Sequence, residues 1–146
     1  MPREWRKGDY LISTEPARLD LRVVHAFLRE SYWASGIPLE VVKRSIEHSL
    51  SFGLYHEARQ IGFARVITDY ATFAYVCDVF VLESHRGRGL GTWLMGILME
   101  HPDLQGLRRW VLATRDAHEL YRKSGFTGLA RPEGWMEKPD PDVYRR

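Results

Sequence analysis

Long hydrophobic runs are missing from this chain of 146 residues. No window approaches the roughly 18 consecutive apolar residues that a membrane-spanning helix needs. The start, Met1-Pro2-Arg3-Glu4-Trp5-Arg6-Lys7, lacks the apolar core of a secretory signal. Cysteine is nearly absent: Cys77 stands alone, which excludes an internal disulfide framework and a multi-cysteine zinc site. That usage fits a reducing, cytoplasmic setting, the expected location. Neither sign of charge dominates, since 21 Lys+Arg against 19 Asp+Glu leave +2, too little to argue for a nucleic-acid partner. His25, His48, His56, His85, His101 and His118 show no metal-ligand spacing, and no metal is expected. What is present, 45% apolar and 27% charged residues, is the composition of a folded domain. One domain over residues 1–146 is expected, without repeats or low-complexity stretches.

Along the chain, Tyr10–Ser13 reads as a first strand stopped at Glu15-Pro16. Asp20 suits a helix cap, and Leu21, Val24, Leu28 and Tyr32 share a helical face. Gly36-Ile37-Pro38 breaks the pattern. A second helix then carries Leu39, Val42, Ile46 and Leu50 on one face, with Glu40/Arg44 as a solvent-side pair. Ser51–His56, Gln60–Asp69 and Thr72–Val81 are rich in Phe, Tyr, Val and Ile, and their short connections predict antiparallel hairpins. A glycine-rich loop leads into an apolar helix, Leu90–Met99. Arg109–Thr114 reads as a fifth strand and Ala117–Ser124 as a short helix stopped by Gly125. One or two more strands are expected within Phe126–Lys138. Mixed strands and helices of this kind make an α/β (α+β) domain.

The most informative segment is Asp78-Val79-Phe80-Val81-Leu82-Glu83-Ser84-His85-Arg86-Gly87-Arg88-Gly89-Leu90-Gly91-Thr92. Glycines allow a close backbone approach, and the unpaired N–H groups at a helix start form an anion site suited to phosphate. A P-loop would need Gly-Lys-Ser/Thr, which does not occur. A dinucleotide fingerprint would need a small residue where Leu94 stands, and three antiparallel-looking strands precede the loop. Arg86-Gly87-Arg88-Gly89-Leu90-Gly91 fits instead a pyrophosphate loop of the Arg/Gln-x-x-Gly-x-Gly/Ala type. On these residues, with Asp78-Val-Phe-Val before the loop and Tyr121-Arg-Lys-Ser-Gly125-Phe126 after it, the sequence resembles the GCN5-related N-acetyltransferase (GNAT) superfamily from about Tyr10 to Lys138. The bland alternative for the glycines is a flexible surface turn.

The resemblance implies a GNAT fold, a mixed, mainly antiparallel sheet of six to seven strands flanked by helices and splayed at the strand after Thr72. It also implies acetyl transfer from acetyl-CoA to a primary amine. The backbone of Gly87 to Gly91, with Leu90 and Thr92 opening the helix and Arg86 and Arg88 beside it, would hold the pyrophosphate. Backbone groups of Phe80, Val81 and Leu82 would bind pantetheine as an added strand, with the Val81 N–H polarising the thioester carbonyl. Thr114 and Arg122 are carried over as further CoA contacts. Tyr121 holds the family position for the acid that protonates the leaving thiolate, its alternative being a packing role. A lysine-like amine is only about 0.1% neutral at pH 7.4, so Asp78 is the candidate base and Glu83 a weaker one. Asp78 could instead pair with an arginine, and in this family the base position can be empty. Phe27, Tyr32, Trp33 and Tyr75 could line an aromatic acceptor slot for an amine cation or an apolar side chain, or simply pack the core. Cys77 argues against a covalent route.

A small-molecule amine is the expected acceptor, with a protein or peptide acetyltransferase as an alternative. A non-catalytic CoA-binding module on the same fold is a second alternative, and an interaction domain using the basic stretch Arg108 to Lys123 a third. Neither nucleic acid nor membrane is an expected partner, and edge strands near the C-terminus could support a homodimer.

Overall fold

The structure, a computed structural model, describes residues 1–146. Its first element is a hairpin that the sequence pattern did not reveal. β1 (Glu4–Lys7) pairs antiparallel with β2 (Tyr10–Ser13). The two-residue connection Gly8-Asp9 has positive φ only at Gly8, as a type II′ turn requires. β1 is charged and mostly exposed, so it lacks the apolar alternation by which strands are recognised, and only Trp5 is partly buried.

The Asp20 side chain accepts from the N–H groups of Arg22 and Val23 and starts α1 (Leu21–Arg29), which buries Val24 and Leu28. The helix ends there, so Tyr32 lies beyond it, in the loop that leads to Pro38. Pro38 caps α2 (Leu39–Glu47) in an extended conformation. Val42 is the buried residue of that helix, while Leu39 is 41% exposed. Glu40 pairs with Lys43 at 3.7 Å, not with Arg44.

β3 (Leu50–His56), β4 (Arg59–Thr68) and β5 (Phe73–Val81) form the expected antiparallel meander. After α3 (Leu90–Glu100) the chain returns as β6 (Arg109–Leu112), parallel to β5. The sheet has six strands in the order β1-β2-β3-β4-β5-β6. α4 (His118–Arg122) follows. The strands expected within Phe126–Lys138 are not formed: that stretch holds only a turn of 3₁₀ helix at Pro132–Gly134. Gly128, Pro132, Gly134 and Pro139 divide the stretch into pieces of four residues or fewer.

Helices cover both faces. Phe52, Leu54, Ala64, Val66, Ala74 and Val76 pack with α3 and Tyr121. Phe63 and Phe80 pack with α1 and α2 on the opposite face. β5 contributes to both because its face inverts midway. Ala74 and Val76 enter the α3 cluster, yet Phe80, at the same parity, enters the α1–α2 cluster. The inversion follows from a bulge at Asp78, whose φ is 55°, where the register with β4 shifts between Phe63 and Arg65.

Candidate active site

β6 pairs with β5 only from Phe73 to Val76. Beyond Val76 the two strands part, and the edge of β5 from Cys77 to Val81 has no strand beside it. Leu82 donates its N–H to the Ile61 carbonyl at 2.8 Å, and Gly62 and Phe63 face Val81 and Phe80. The antiparallel alternation therefore turns the backbone groups of Val81 and Val79 toward the open edge, and those of Phe80 and Leu82 toward β4. Of the three residues expected to offer main chain to pantetheine, Val81 has the right orientation and Val79 joins it. Phe80 contributes its side chain instead, stacked on Phe27 at 4.0 Å between ring centroids. Leu82 lines a separate depression with Asp20 and Gln60.

The glycine-rich loop follows this edge. Gly87 and Gly89 have φ of 79° and 76°, and nothing lies within 4 Å of where a Cβ would sit on either. Their glycine requirement is therefore conformational, and the backbone face stays open. Gly89 is the N-cap of α3, so the first N–H groups of that helix point into the cleft. Arg86 folds back and donates from Nε to the Val81 carbonyl at 2.8 Å. A cavity of about 920 Å³ runs along this surface, lined by Arg86, Gly87, Gly89, Leu90, Gly91 and Thr92 together with Phe27, Val79, Phe80 and Val81. The Arg88 side chain is outside that lining.

A second cavity, of about 440 Å³, lies beyond the splay and is lined by Trp33, Tyr75, Cys77, Asp78 and Thr114. The two cavities share Tyr32, Trp33, Val79, Arg115, Asp116, Ala117 and Tyr121. Three of the four expected acceptor residues, Tyr32, Trp33 and Tyr75, therefore meet in the smaller cavity, whereas Phe27 belongs to the larger. Thr114 lies past the end of β6, and its Oγ1 accepts from the Ala117 N–H at 3.1 Å, which helps to start α4. Arg122 lines neither cavity and pairs with Glu119.

Tyr121 is 9% exposed at the junction. Burial, followed by the nearby Tyr32 and Asp116, pushes its phenol up to about 12, so it stays protonated. Gly125, with φ of 93°, ends the helix, and the Phe126 N–H returns to the Tyr121 carbonyl at 3.2 Å. Burial likewise pushes the Cys77 thiol up to about 12, which leaves it without the thiolate that nucleophilic attack requires.

Asp78 is held on both oxygens. Oδ1 accepts from Trp33 Nε1 at 2.8 Å and Oδ2 from Arg65 Nε at 2.9 Å, with side-chain exposures of 8% for Asp78 and 15% for Arg65. The alternative of an arginine pair is what the geometry displays, and a carboxylate so engaged is poorly placed to take a proton. On the opposite side, the Arg115 N–H donates to Tyr32 Oη at 2.8 Å, and its guanidinium lies 4.0 Å from the Tyr32 ring centroid. Arg65 and Val79 were not among the expected site residues, and Arg115 figured only in the basic stretch Arg108 to Lys123. Arg65 is identified only by its register opposite Cys77, and the Tyr32–Arg115 contact spans 83 residues.

A splayed β5 edge, an open glycine loop at a helix start and a buried tyrosine at the junction of two cavities make up the candidate site. Residues 17–126 match the model of the acetyltransferase (GNAT) family, and the chain belongs to that family. A Gibberella zeae protein named as an acetyltransferase is 36% identical, over 84% of this chain and 81% of its own. The crystal structure of a Xanthomonas campestris pv. campestris protein described as a GNAT-family acetyltransferase is 51% identical and superposes with a TM-score of 0.91, covering 94% of this chain and 97% of that one. A Clostridium acetobutylicum structure described as containing acetyl-CoA shares the fold at 13% identity and a TM-score of 0.62, over 95% and 96% of the two chains.

Proposed function

We propose that this acetyltransferase moves the acetyl group of acetyl-CoA directly to the primary amine of a small molecule. The observation that carries the reading is the meeting of the two cavities through the β5–β6 splay, with Val79 and Tyr121 in the wall of both. The loop from Gly87 to Gly91 receives the pyrophosphate on its backbone N–H groups. The open edge at Val79 and Val81 pairs with the pantetheine amides. Val79, at the junction, is better positioned than Val81 to donate its N–H to the thioester oxygen as negative charge develops there. The amine nitrogen attacks the carbonyl carbon, the C–S bond breaks with its electron pair going to sulfur, Tyr121 Oη supplies the proton that sulfur takes up, and the proton that nitrogen loses passes to solvent, from which Tyr121 is reprotonated. Asp78 acts through Trp33 as a positioning residue, in place of the base role expected from sequence.

A small acceptor is favoured because the Tyr32–Arg115 contact spans the junction and bounds the 440 Å³ cavity. The test is thiol release from acetyl-CoA with a panel of amines, followed by Tyr121→Phe. The expected loss in kcat is about 10²-fold. Unchanged kcat in a folded variant removes Tyr121 from the chemistry, and no thiol release with any amine leaves a CoA-binding module.

A further inference from the structure

The inference rests on the acyl-transfer reading and concerns the protonation of the acceptor. We propose that the acceptor is a weakly basic amine with a flat apolar body, of the arylamine or α-amino kind, and that the enzyme carries no general base for it.

The ionisable groups around the smaller cavity support this one by one. From β5, Asp78 has both oxygens engaged, by Trp33 at 2.8 Å and by Arg65 of β4 at 2.9 Å. Also from β5, burial raises the Tyr75 phenol and the Cys77 thiol, and from α4 it raises Tyr121, so these three stay protonated. From the β6–α4 loop, the Asp116 side chain is 67% exposed and sits 3.6 Å from the Arg115 guanidinium. On the CoA side, Glu30 is 78% exposed beside Arg29, and His85 is bound through Nδ1 to Tyr10 Oη at 3.0 Å. The smaller cavity thus presents no buried carboxylate without a partner: its loosely held carboxylate, Asp116, is turned mostly to solvent, and His85, whose Nε2 is open, lines only the larger cavity. Cation–π capture is limited as well, because Arg115 already occupies the Tyr32 face at 4.0 Å and adds positive charge at the junction.

Such a site selects amines that arrive neutral. An α-amino group with a pKa of about 8 is about one-fifth neutral at pH 7.4, against about 0.1% for a lysine-like amine. Trp33 and Tyr75 supply flat walls for an aromatic body. After attack, the proton left on nitrogen passes to water.

The experiment measures kcat/KM against pH for the wild-type protein with 4-methylaniline, phenylalanine amide and 2-phenylethylamine, which share a ring and rise in basicity. The expected profiles climb with pH and level at each acceptor's own pKa, so the inflection moves from one acceptor to the next. At pH 7.4 phenylalanine amide should exceed 2-phenylethylamine by about 10²-fold, the ratio of their neutral fractions. A single inflection common to the three acceptors assigns the proton to an enzyme group and overturns the proposal. Turnover of 2-phenylethylamine alone overturns it while acyl transfer stands. Thiol release with none of the three overturns it together with the small-amine reading.

Discussion

Two loop glycines that look equivalent in the sequence carry different constraints. Gly89 has φ of 76° with open space where a Cβ would go, whereas Gly91 lies inside α3 and a Cβ there would meet Leu120 methyls at an ordinary 3.7 Å. Gly89→Ala should cost about 1–2 kcal/mol of stability or distort the loop, and should weaken acetyl-CoA binding. Gly91→Ala should leave the fold intact. Thermal unfolding and calorimetric titration with acetyl-CoA check both, and equal behaviour of the two variants would contradict the assignment. At this scale the loop was legible because its chemistry is local: glycine spacing and a helix start lie within a few residues. The partners of Asp78 were not, because Arg65 and Trp33 are 13 and 45 residues away.

The bulge in β5 joins two functions in one element. It exchanges the core face of the strand, so that Phe80 packs on α1 and α2 while Val79 and Val81 keep their backbones on the open edge. It also holds Asp78 where Arg65 and Trp33 reach it. Asp78→Ala would place a non-glycine residue without its side-chain partners at φ of 55° and strand the Arg65 guanidinium at 15% side-chain exposure. The expected loss is about 3–5 kcal/mol, read from urea unfolding. A variant of wild-type stability would show that the pair is not structural. In the α1–α2 loop the expectation is different. Arg115→Ala removes an exposed stacking contact while keeping the main-chain hydrogen bond to Tyr32, so the melting temperature should hardly change. Amide exchange at residues 32–36 should rise, and unchanged exchange there would mean that the Arg115 side chain does not hold the loop. The type and order of β3, β4 and β5 were readable from β-branched and aromatic density, whereas β1 was not and the strands expected after Phe126 did not form. The bulge was not, because the alternation continues through it and the inversion appears only against two helix layers.

Across the whole molecule, distant segments are tied by single, partly buried aromatic side chains. The β1–β2 hairpin docks through Trp5, which lies 6.3 Å from the Phe52 ring and 6.0 Å from the His101 ring. His101 is 2% exposed, its Nδ1 accepts from the Asp103 N–H, and burial holds its pKa below the ordinary value. A lowered folded pKa means that its contribution is complete above the unfolded value of about 6.5 and is lost as pH falls below it. Melting temperature should therefore decline on acidification from neutrality, and His101→Asn should flatten that decline. An identical slope in the variant would exclude His101 as its source. The far end of the chain also returns: Tyr144 packs against the α1–α2 cluster, with its Cβ 3.8 Å from the position a Cβ would take on Gly36. Tyr144→Ala should cost about 1–2 kcal/mol in urea unfolding, and a null effect would mark the tail as dispensable to the fold.

The sequence by itself determined the family, the order of the central elements, the glycine loop that opens α3 and the tyrosine at its motif position. Each of these is encoded by residues near one another, where spacing, backbone preference and hydrophobic period act directly. Only the tertiary structure decided that β5 inverts its face, that two cavities meet at Val79 and Tyr121, and that Asp78 is engaged by Arg65 and Trp33. Those features depend on register and on contacts between remote segments, whose geometry is settled by burying apolar surface on both sides of one twisted sheet. Whether a carboxylate is free to act as a base depends on what packs against it, and that is a property of the assembled fold.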